Sequence, residues 1–479
     1  MNMIKIPFNK TKVIATVGPA SNTKEKLKAL IIEGTDVFRL NFSHGTHEDH
    51  KKVIQYVREL NVEMNSPVCL LQDLQGPKIR INQVQDGVEL KARNKFIITT
   101  EEVMGNEERA STSYKEILND VKSGDRVLID DGKIELIIKE IRDKDIVTEV
   151  IHGGKLKSRK GINLPYTDVS APSLTEKDLK DLYFGLENDV EWVALSFVRN
   201  AKDIHELREI IQSKGKSSRI VAKIEKPEAV KNIDDIIKAT DAIMVARGDL
   251  GVEILPEEVP MVQKQIVAKC KKAAKPVIIA TQMMESMIEN PRPTRAETND
   301  VANAVMDGAD TLMLSAETAA GKYPLEVVKT MVNTISSVEA KSERVYHHHY
   351  TLNEKSPLFI NDTLMLNACQ LAKVANAKAI TGLTQAGYSA FRLASHRPKA
   401  NIFIFCSNKE FIRTMNLIWG VRGILYDSNE STDETIADME DILKKQGYIK
   451  PGDIFISTAS MPIQEKGRAN MIKLNVTRE

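Results

Sequence analysis

Short apolar runs alternate with longer amphipathic stretches along the first three quarters of the chain. The runs are nearly continuous, which is typical of strands that a parallel sheet buries on both faces. The stretches between them, such as 23–34 and 201–215, have apolar residues at spacings of three and four and end at a glycine, as helices do. This alternation favours an α/β fold built on a (β/α)8 TIM barrel, with a doubly wound open sheet as the alternative. The eight predicted strands are 12–18, 36–43, 67–74, 191–198, 219–225, 242–249, 276–283 and 310–317.

One segment interrupts this rhythm after the third predicted strand. Residues 77–167 are rich in Val, Ile, Gly and Asp-Gly turns, and the pattern predicts antiparallel hairpins at 87–100, 125–141 and 145–156. We therefore expect an inserted β-rich lid domain at 77–167, with the barrel formed by residues 1–76 and 168–344. Because βα loops lie at the C-terminal face of a barrel, the lid is expected to cap the active site.

The remaining residues, 345–479, are predicted to form a C-terminal three-layer α/β domain. Helices at 361–376 and 432–446 accompany apolar runs at 378–384, 401–407, 421–427, 453–460 and 470–476. The junction contains three consecutive histidines, His347–His349. Adjacent residues cannot easily converge on one ion, so a solvated interdomain segment is favoured over a metal site there.

Composition limits the class of protein. The 479 residues carry a formal charge of +1, so no overall field favours nucleic acid or an anionic membrane as a partner. We see no signal peptide, and no apolar run approaches the roughly 18 residues that a membrane span requires. The four cysteines are scattered without a CxxC pair, which fits reduced thiols in a cytoplasmic protein.

Polar side chains recur where the predicted strands end, and barrel enzymes bind their substrates at those ends. Lys223 and Glu225 lie two residues apart at the end of the fifth strand, so both side chains point to the same face. Taken alone, the two could equally form a structural ion pair, but four strand ends considered together favour a shared site. The other candidates are Arg39, Asn41 and Ser43 on the second strand, Asp73 on the third, Asp249 on the sixth and Thr281 on the seventh.

The residue types indicate the chemistry. Glu225 and Asp249 offer hard oxygen ligands suited to Mg²⁺, and no Cys or His cluster offers a site for a softer metal. The Arg39 guanidinium can bind a phosphate through two parallel hydrogen bonds, and the Lys223 ammonium is a point charge that can stabilise negative charge as it develops. Together they indicate metal-assisted phosphoryl transfer or enolate chemistry. The sequence has neither a P-loop nor a glycine-rich kinase loop, so a nucleotide would be held in another way.

Several longer motifs resemble the pyruvate kinase family, in order from about residue 10 to 340 and more weakly to the end. These motifs are "KTKVIATVGPAS", "RLNFSHG", "KGINLP", "IVAKIEKPEAV", "IMVARGDLGVE", "ATQMMESM", "PTRAE", "DVANAVMDGAD" and "LSAETAAGKYP". The resemblance implies a barrel, a β-rich lid and a C-terminal α/β domain, which agrees with the reading from periodicity. It also implies a cytoplasmic, glycolytic enzyme that assembles as a homotetramer. The implied reaction transfers the phosphoryl group of phosphoenolpyruvate to ADP and yields pyruvate and ATP.

The resemblance also implies roles for individual residues. Arg39 would bind the substrate phosphate, and Lys223 would stabilise charge on the transferring group and on the enolate. Glu225 and Asp249 would hold Mg²⁺ or Mn²⁺, and Thr281 would lie where a proton is delivered to the enolate. Backbone N–H groups around Gly248 and Asp249 would meet the substrate carboxylate, because glycine permits close approach. The nucleotide phosphates would be attended by Asn41, His44, Arg80 and Lys160.

Two departures from the family pattern concern ions and effectors. Many members hold K⁺ with residues matching Asn41, Ser43, Asp73 and the carbonyl of Leu74, and they have glutamate at the position of Lys78. Here the Lys78 ammonium is expected to replace the ion, so K⁺ would not be required; the alternative is that Lys78 simply faces solvent.

The loops "LTQAGYSAFR" (383–392) and "STASMPIQEKGRAN" (457–470) also depart from the family form, so we expect weak or absent activation by fructose 1,6-bisphosphate.

Two other functions remain open at this point. An aldolase or lyase on the same barrel could use the same Lys, Glu and Asp around a Mg²⁺-bound enolate, but it would not need a nucleotide lid or "KGINLP". A non-catalytic relative is the second alternative. The presence of Lys223, Glu225, Asp249 and Thr281 argues against that alternative.

Overall fold

The computed structural model describes residues 8–346, 352–384, 387–427, 431–461 and 468–478. Within these ranges, eight parallel strands close into a barrel in chain order, and the last strand pairs with the first. The predicted (β/α)8 barrel is therefore confirmed and the open sheet is wrong. Each strand is shorter than its predicted run. Ser43, Glu225 and Thr281 lie just beyond the strands predicted to carry them, and Asp249 lies in the helix Arg247–Glu253. The barrel strands are Lys12–Thr16, Val37–Asn41, Cys69–Asp73, Trp192–Leu195, Arg219–Ile224, Ala242–Ala246, Val277–Ala280 and Thr311–Leu314.

Helices cover the outside of the barrel, and local sequence signals set their ends. Thr46, Thr175, Asn200 and Thr294 each begin a helix with a capping box, in which side chain and backbone satisfy each other's hydrogen bonds. Gly34 ends the first helix in the left-handed conformation. The helices of this part are Lys24–Glu33, His47–Glu63, Glu176–Glu187, Ala201–Ser213, Pro227–Lys231, Ile233–Ala239, Arg247–Glu253, Val259–Lys272, Arg295–Asp307, Ala316–Ala319 and Pro324–Lys341, with 3-10 turns at Glu285–Ile288 and Glu343–Val345.

The insertion after the third barrel strand is β-rich, as predicted. Arg126–Ile129 and Ile134–Arg142 form the hairpin predicted at 125–141. The hairpins predicted at 87–100 and 145–156 are wrong, because Asp145–His152 pairs back with Ile134–Arg142 and Gly154–Lys155 pairs with Glu89–Leu90. The two halves of 87–100, Glu89–Leu90 and Lys95–Thr99, lie in two different sheets and pair with residues 46 to 66 positions later. Lys95–Thr99 also pairs with Arg109–Ser111. The remaining elements of the insertion are strands Arg109–Ser111, Gly154–Lys155 and Ile162–Asn163 and helix Ile117–Asp120.

The C-terminal part is a separate α/β domain, as predicted. Its described sheet has four parallel strands and the antiparallel edge strand Met471–Val476. The predicted segment His347–His349 and parts of the loops at 383–392 and 457–470 lie outside the described residues. The other strands are Ala379–Leu383, Asn401–Cys406, Val421–Leu425 and Ile454–Ala459, and the helices are Phe359–Val374, Tyr388–Ser395, Lys409–Thr414 and Thr432–Lys445, with a 3-10 turn at Met415–Leu417.

The amino-terminal end of the barrel is sealed by the C-terminal domain. Leu417 is fully buried in the cluster that fills the barrel interior, together with Trp192, Met244 and Met313. Hydrogen bonds fix this plug, since Thr311 Oγ1 donates to the Leu417 carbonyl at 3.0 Å and Trp192 Nε1 donates to the Thr414 carbonyl at 3.2 Å. The opposite, carboxyl end therefore remains the open end. Among the described residues, no helix is both long and apolar enough to cross a membrane.

Candidate active site

Lys223 lies at the centre of the carboxyl end of the barrel. Its Nζ atom is 2.7 Å from Ser196 Oγ, 3.0 Å from Glu225 Oε1 and 3.2 Å from Asp73 Oδ1, and only 12% of its side chain is exposed. Burial acts to lower the pKa of Lys223, but the attraction of Asp73 and Glu225 outweighs it and raises the pKa above its ordinary value. The predicted ion pair with Glu225 therefore exists, within a larger cluster of charges that holds Lys223 protonated.

Asp73 joins the two cations expected to bind the substrate. Arg39 Nε donates to Asp73 Oδ2 at 2.6 Å while Lys223 lies against the other oxygen, and Arg39 Nη1 also reaches Thr16 Oγ1 at 3.1 Å. Burial alone would raise the pKa of Asp73, but Lys223 and Arg39 outweigh it and lower the pKa. Arg39 and Lys223 are thus held side by side, each with a small exposed fraction, as a fixed pair of positive charges.

Glu225 and Asp249 supply the oxygen ligands that a hard divalent cation prefers. Glu225 is almost fully buried, and its Oε2 accepts a hydrogen bond from the Phe197 N–H at 2.7 Å. Burial and the nearby charge of Asp249 together raise the pKa of Glu225, although Lys223 acts in the opposite sense. Asp249 is 30% exposed and lies 3.6 Å from Lys78 Nζ. In the described part of the chain no group of three or more His, Cys, Asp or Glu converges, so a metal here would take two carboxylates and find its other ligands in substrate or water.

Thr281 occupies a strained turn beside Gly248. Its φ is 68° and that of Gln282 is 54°, a conformation that a β-branched residue rarely adopts. Thr281 Oγ1 accepts from the Gly248 N–H at 2.7 Å and donates to the Ala280 carbonyl at 2.6 Å. Arg247 stabilises the turn, since it donates to the Thr281 carbonyl at 2.8 Å and forms an ion pair with Asp300 at 2.8 Å. The two predicted residues, Thr281 and Gly248, are thus in direct contact.

The predicted nucleotide residues divide between the barrel and the inserted domain. His44 is exposed in the loop after the second strand, whose end carries Asn41. Arg80 and Lys160 lie together at the base of the inserted domain, where Arg80 forms a backbone bridge with Gly161. Lys160 Nζ is 2.7 Å from Asp130 Oδ1. Asn163 of the inserted domain donates to Glu253 of the barrel at 2.8 Å, so the two parts are in contact at this end.

The residues expected to hold a monovalent cation are neighbours in the structure. Asn41 and Asp73 are partners in the pairing of the second and third strands, and Leu74 follows directly. The oxygens are already engaged, however: Asp73 contacts Arg39 and Lys223, Asn41 Oδ1 accepts from the Ser43 N–H at 3.1 Å, and the Leu74 carbonyl accepts from Ser196 Oγ at 2.7 Å. Lys78 is 32% exposed and its ion-pair partner is Asp249. Its ammonium therefore lies next to the predicted metal ligand Asp249.

Sequence reasoning missed four residues of this site: Ser196, Phe197, Arg247 and Asp300. Ser196 directly follows the fourth strand, and the rule that found the other candidates would have found it too. Arg247 directly precedes Gly248 in the motif "VARGDLG". No local signal marks Phe197, which acts through its backbone N–H, or Asp300, which lies on a helix 53 positions beyond its partner Arg247.

The comparisons with known proteins agree with this geometry. The family models "Pyruvate kinase, barrel domain" and "Pyruvate kinase, alpha/beta domain" match residues 8–328 and 362–475. Pyruvate kinases of Staphylococcus aureus strains MRSA252 and COL are 41% identical over 477 residues, which cover 98% of this chain and 80% of each relative. A crystal structure of a pyruvate kinase from Cryptosporidium parvum superposes with a TM-score of 0.92 at 37% identity, covering 98% of this chain and 96% of that one. The chain is therefore an enzyme that belongs to the pyruvate kinase family.

Proposed function

We propose that this enzyme transfers the phosphoryl group of phosphoenolpyruvate to ADP, producing pyruvate and ATP in glycolysis, with Mg²⁺ and without a K⁺ requirement. The observation that carries the proposal is the pair of buried cations, Arg39 and Lys223, fixed on Asp73 beside Glu225 and Asp249. Such an arrangement can bind a phosphate and also stabilise negative charge that develops on a neighbouring oxygen.

In this reaction the bond between phosphorus and the enol oxygen breaks, and a bond to the terminal phosphate oxygen of ADP forms. Arg39 would bind the phosphoryl group, and Lys223 would lie between it and the enolate oxygen. The enolate then takes a proton on carbon, and the hydroxyl of Thr281, itself bonded to the Gly248 N–H, would position the water that delivers it. Arg80 and Lys160 would draw the nucleotide phosphates to the mouth, and the inserted domain would exclude water that could accept the phosphoryl group.

The metal would be held by Glu225 and Asp249, whose donor set fits a hard divalent cation. When bound, it would neutralise charge on the phosphoryl and substrate oxygens. The charges around the site support independence from K⁺: the carboxylates Asp73, Glu225 and Asp249 face the cations Arg39, Lys223 and Lys78, so no net negative charge remains for a monovalent ion to balance.

A coupled assay of pyruvate formation tests the proposal. We expect pyruvate only when phosphoenolpyruvate, ADP and Mg²⁺ are all present, with ATP formed in equal amount. Pyruvate formed without ADP, or carbon–carbon cleavage of a longer keto acid, would support the aldolase or lyase alternative. Absence of both reactions in a folded protein would support the non-catalytic alternative.

We also propose a homotetramer in the cytoplasm, on the strength of the family. Leu474 and Val476 are exposed hydrophobic residues on the edge strand of the C-terminal domain, a surface suited to contact between copies of the chain. Light scattering after size-exclusion chromatography should give four times the chain mass of 53.5 kDa. A mass equal to that of one chain at micromolar concentration would contradict this assembly.

A further inference from the structure

The ammonium group of Lys223 has three N–H donors and three close acceptors. Two acceptors, Asp73 and Glu225, carry negative charge, and the third, at 2.7 Å, is the hydroxyl of Ser196. A substrate oxygen that approaches Lys223 must take the place of one of these acceptors. Only the hydroxyl can hold the ammonium without neutralising the charge that the reaction uses.

A second hydrogen bond fixes the direction of the Ser196 hydroxyl. Ser196 Oγ donates to the Leu74 carbonyl at 2.7 Å, so its single hydrogen is committed. The oxygen can therefore only accept a hydrogen bond from Lys223. Ser196 itself is almost fully buried, which excludes water as a competing partner for the hydroxyl.

The turn that carries Ser196 is closely packed and contacts both Lys223 and Glu225. Phe197 has a φ of 54°, an uncommon conformation for a bulky residue, and its N–H donates to Glu225 Oε2 at 2.7 Å. Gly76 permits this packing, because a Cβ atom there would lie 2.9 Å from both Ser196 Cβ and Phe197 Cδ2. A rigid turn can set the position of a charged group to a fraction of an ångström.

We infer that Ser196 is a positioning residue for Lys223, which it holds in line with the transferring phosphoryl group through the chain Leu74 carbonyl, Ser196 hydroxyl and Lys223 ammonium. The inference rests on the proposed phosphoryl transfer. Ser196 does not touch the reacting atoms. It acts by keeping the ammonium in place when a substrate oxygen displaces Asp73 or Glu225 from it.

The test compares Ser196→Ala with Ser218→Ala in the full-length enzyme. Ser218 directly precedes the fifth strand, at the opposite end of the barrel, and its hydroxyl also donates to a backbone carbonyl, that of Val190, at 2.7 Å. Both variants lose one hydroxyl-to-carbonyl hydrogen bond, but only Ser196→Ala loses the contact with Lys223. We expect kcat of Ser196→Ala to fall about 30-fold, the scale of a misplaced catalytic group, while the half-saturating phosphoenolpyruvate concentration changes less than about threefold.

Two further results complete the test. Ser218→Ala should keep kcat within about twofold of the unmodified enzyme, and Ser196→Thr, which retains the hydroxyl, should recover most of the loss. Chemical unfolding of each variant separates positioning from folding, since a structural role would make activity follow stability in both alanine variants. A Ser196→Ala enzyme with unchanged kcat, or equal losses in both alanine variants, would overturn the inference. If the unmodified enzyme forms no pyruvate, the proposed function fails instead.

Discussion

The two ends of the barrel both contain buried charges, yet they are built differently. At the amino end, Arg397 is only 2% exposed and pairs with Asp310 at 2.9 Å, and Glu191 lies between Arg58 and Arg413. These charges have opposite partners and are covered by the C-terminal domain. At the carboxyl end, Glu225 and Asp249 are two carboxylates close enough to disturb each other, and Asp249 and Lys78 are partly exposed.

Burial by itself does not distinguish the two ends. Burial raises the pKa of Glu339 at the amino end, just as it raises that of Glu225. At Glu339 the other influences are hydrogen bonds from Lys10 and Thr11 and the charge of Lys10, all of which lower the pKa again. At Glu225 a second carboxylate, Asp249, adds to the effect of burial. Two neighbouring carboxylates beside an opening, rather than buried charges as such, therefore distinguish the functional end.

The largest expected effect comes from removing the buried lysine at the functional end. Lys223→Met keeps much of the side-chain volume but removes the charge that opposes the developing anion, so we expect kcat to fall by roughly 10³-fold or more. Lys12→Met is the control, because Lys12 is even more deeply buried, with 2% of its side chain exposed, and pairs with Asp36 at the amino end. Steady-state kinetics should leave kcat of Lys12→Met within about threefold of the unmodified enzyme. Near-native turnover of Lys223→Met would show that Lys223 does not stabilise the developing anion.

The amino end should respond in stability rather than in turnover. Arg397→Met leaves Asp310 buried without its bidentate partner, and the Gly308 carbonyl loses a donor at 2.7 Å. We expect the free energy of unfolding to fall by about 3–5 kcal/mol. Urea unfolding measures this change, and kcat per folded molecule should stay unchanged. A loss of kcat without a loss of stability would mean that the two ends are coupled.

The metal requirement sharpens the contrast between two buried glutamates at the carboxyl end. Glu225→Gln removes one anionic oxygen from the predicted metal shell, so the Mg²⁺ concentration for half-maximal rate should rise about tenfold or more. Glu317→Gln is the control, since Glu317 is also buried with a raised pKa but accepts hydrogen bonds from the backbone of Ser315 and Met284. When the rate is titrated with Mg²⁺, the concentration for half-maximal rate of the Glu317 variant should stay within about threefold of that of the unmodified enzyme. An equal rise in both variants would argue against Glu225 as a ligand.

Much of the functional end could be predicted from the sequence, because its residues follow local sequence patterns. Alternation along a strand placed Lys223 and Glu225 on one face, and the strand-end rule found Arg39, Asp73 and Asp249. The amino end could not be predicted in the same way. Its plug, Leu417, comes from an ordinary apolar turn of another domain, and only the tertiary fold brings it to Trp192.

The same limit applies to pairings between distant segments. Strand Lys95–Thr99 pairs with Asp145–His152 and Arg109–Ser111 rather than with the preceding strand Glu89–Leu90, and this choice depends on packing within the insertion. The contact between Arg247 and Asp300, 53 positions apart, likewise has no trace in local periodicity.

The smallest expected effect concerns K⁺, and it tests whether the functional end is already balanced in charge. Lys78 brings its ammonium to 3.6 Å from Asp249, beside the cluster of Asp73, Glu225 and Lys223. An additional cation about 4 Å from a fixed ammonium would be repelled by several kcal/mol at an intermediate dielectric constant. We therefore expect the unmodified enzyme to have full activity with Mg²⁺ in tetramethylammonium buffer, and K⁺ to change kcat by less than about twofold. Lys78→Glu shifts the local charge by two units and should create a K⁺ requirement, whereas Lys78→Arg should not. If K⁺ restores a nearly inactive unmodified enzyme many-fold, Lys78 does not substitute for the ion. The carboxyl end would then have an unfilled place for a cation, although Arg39, Lys223 and Lys78 match Asp73, Glu225 and Asp249 in number.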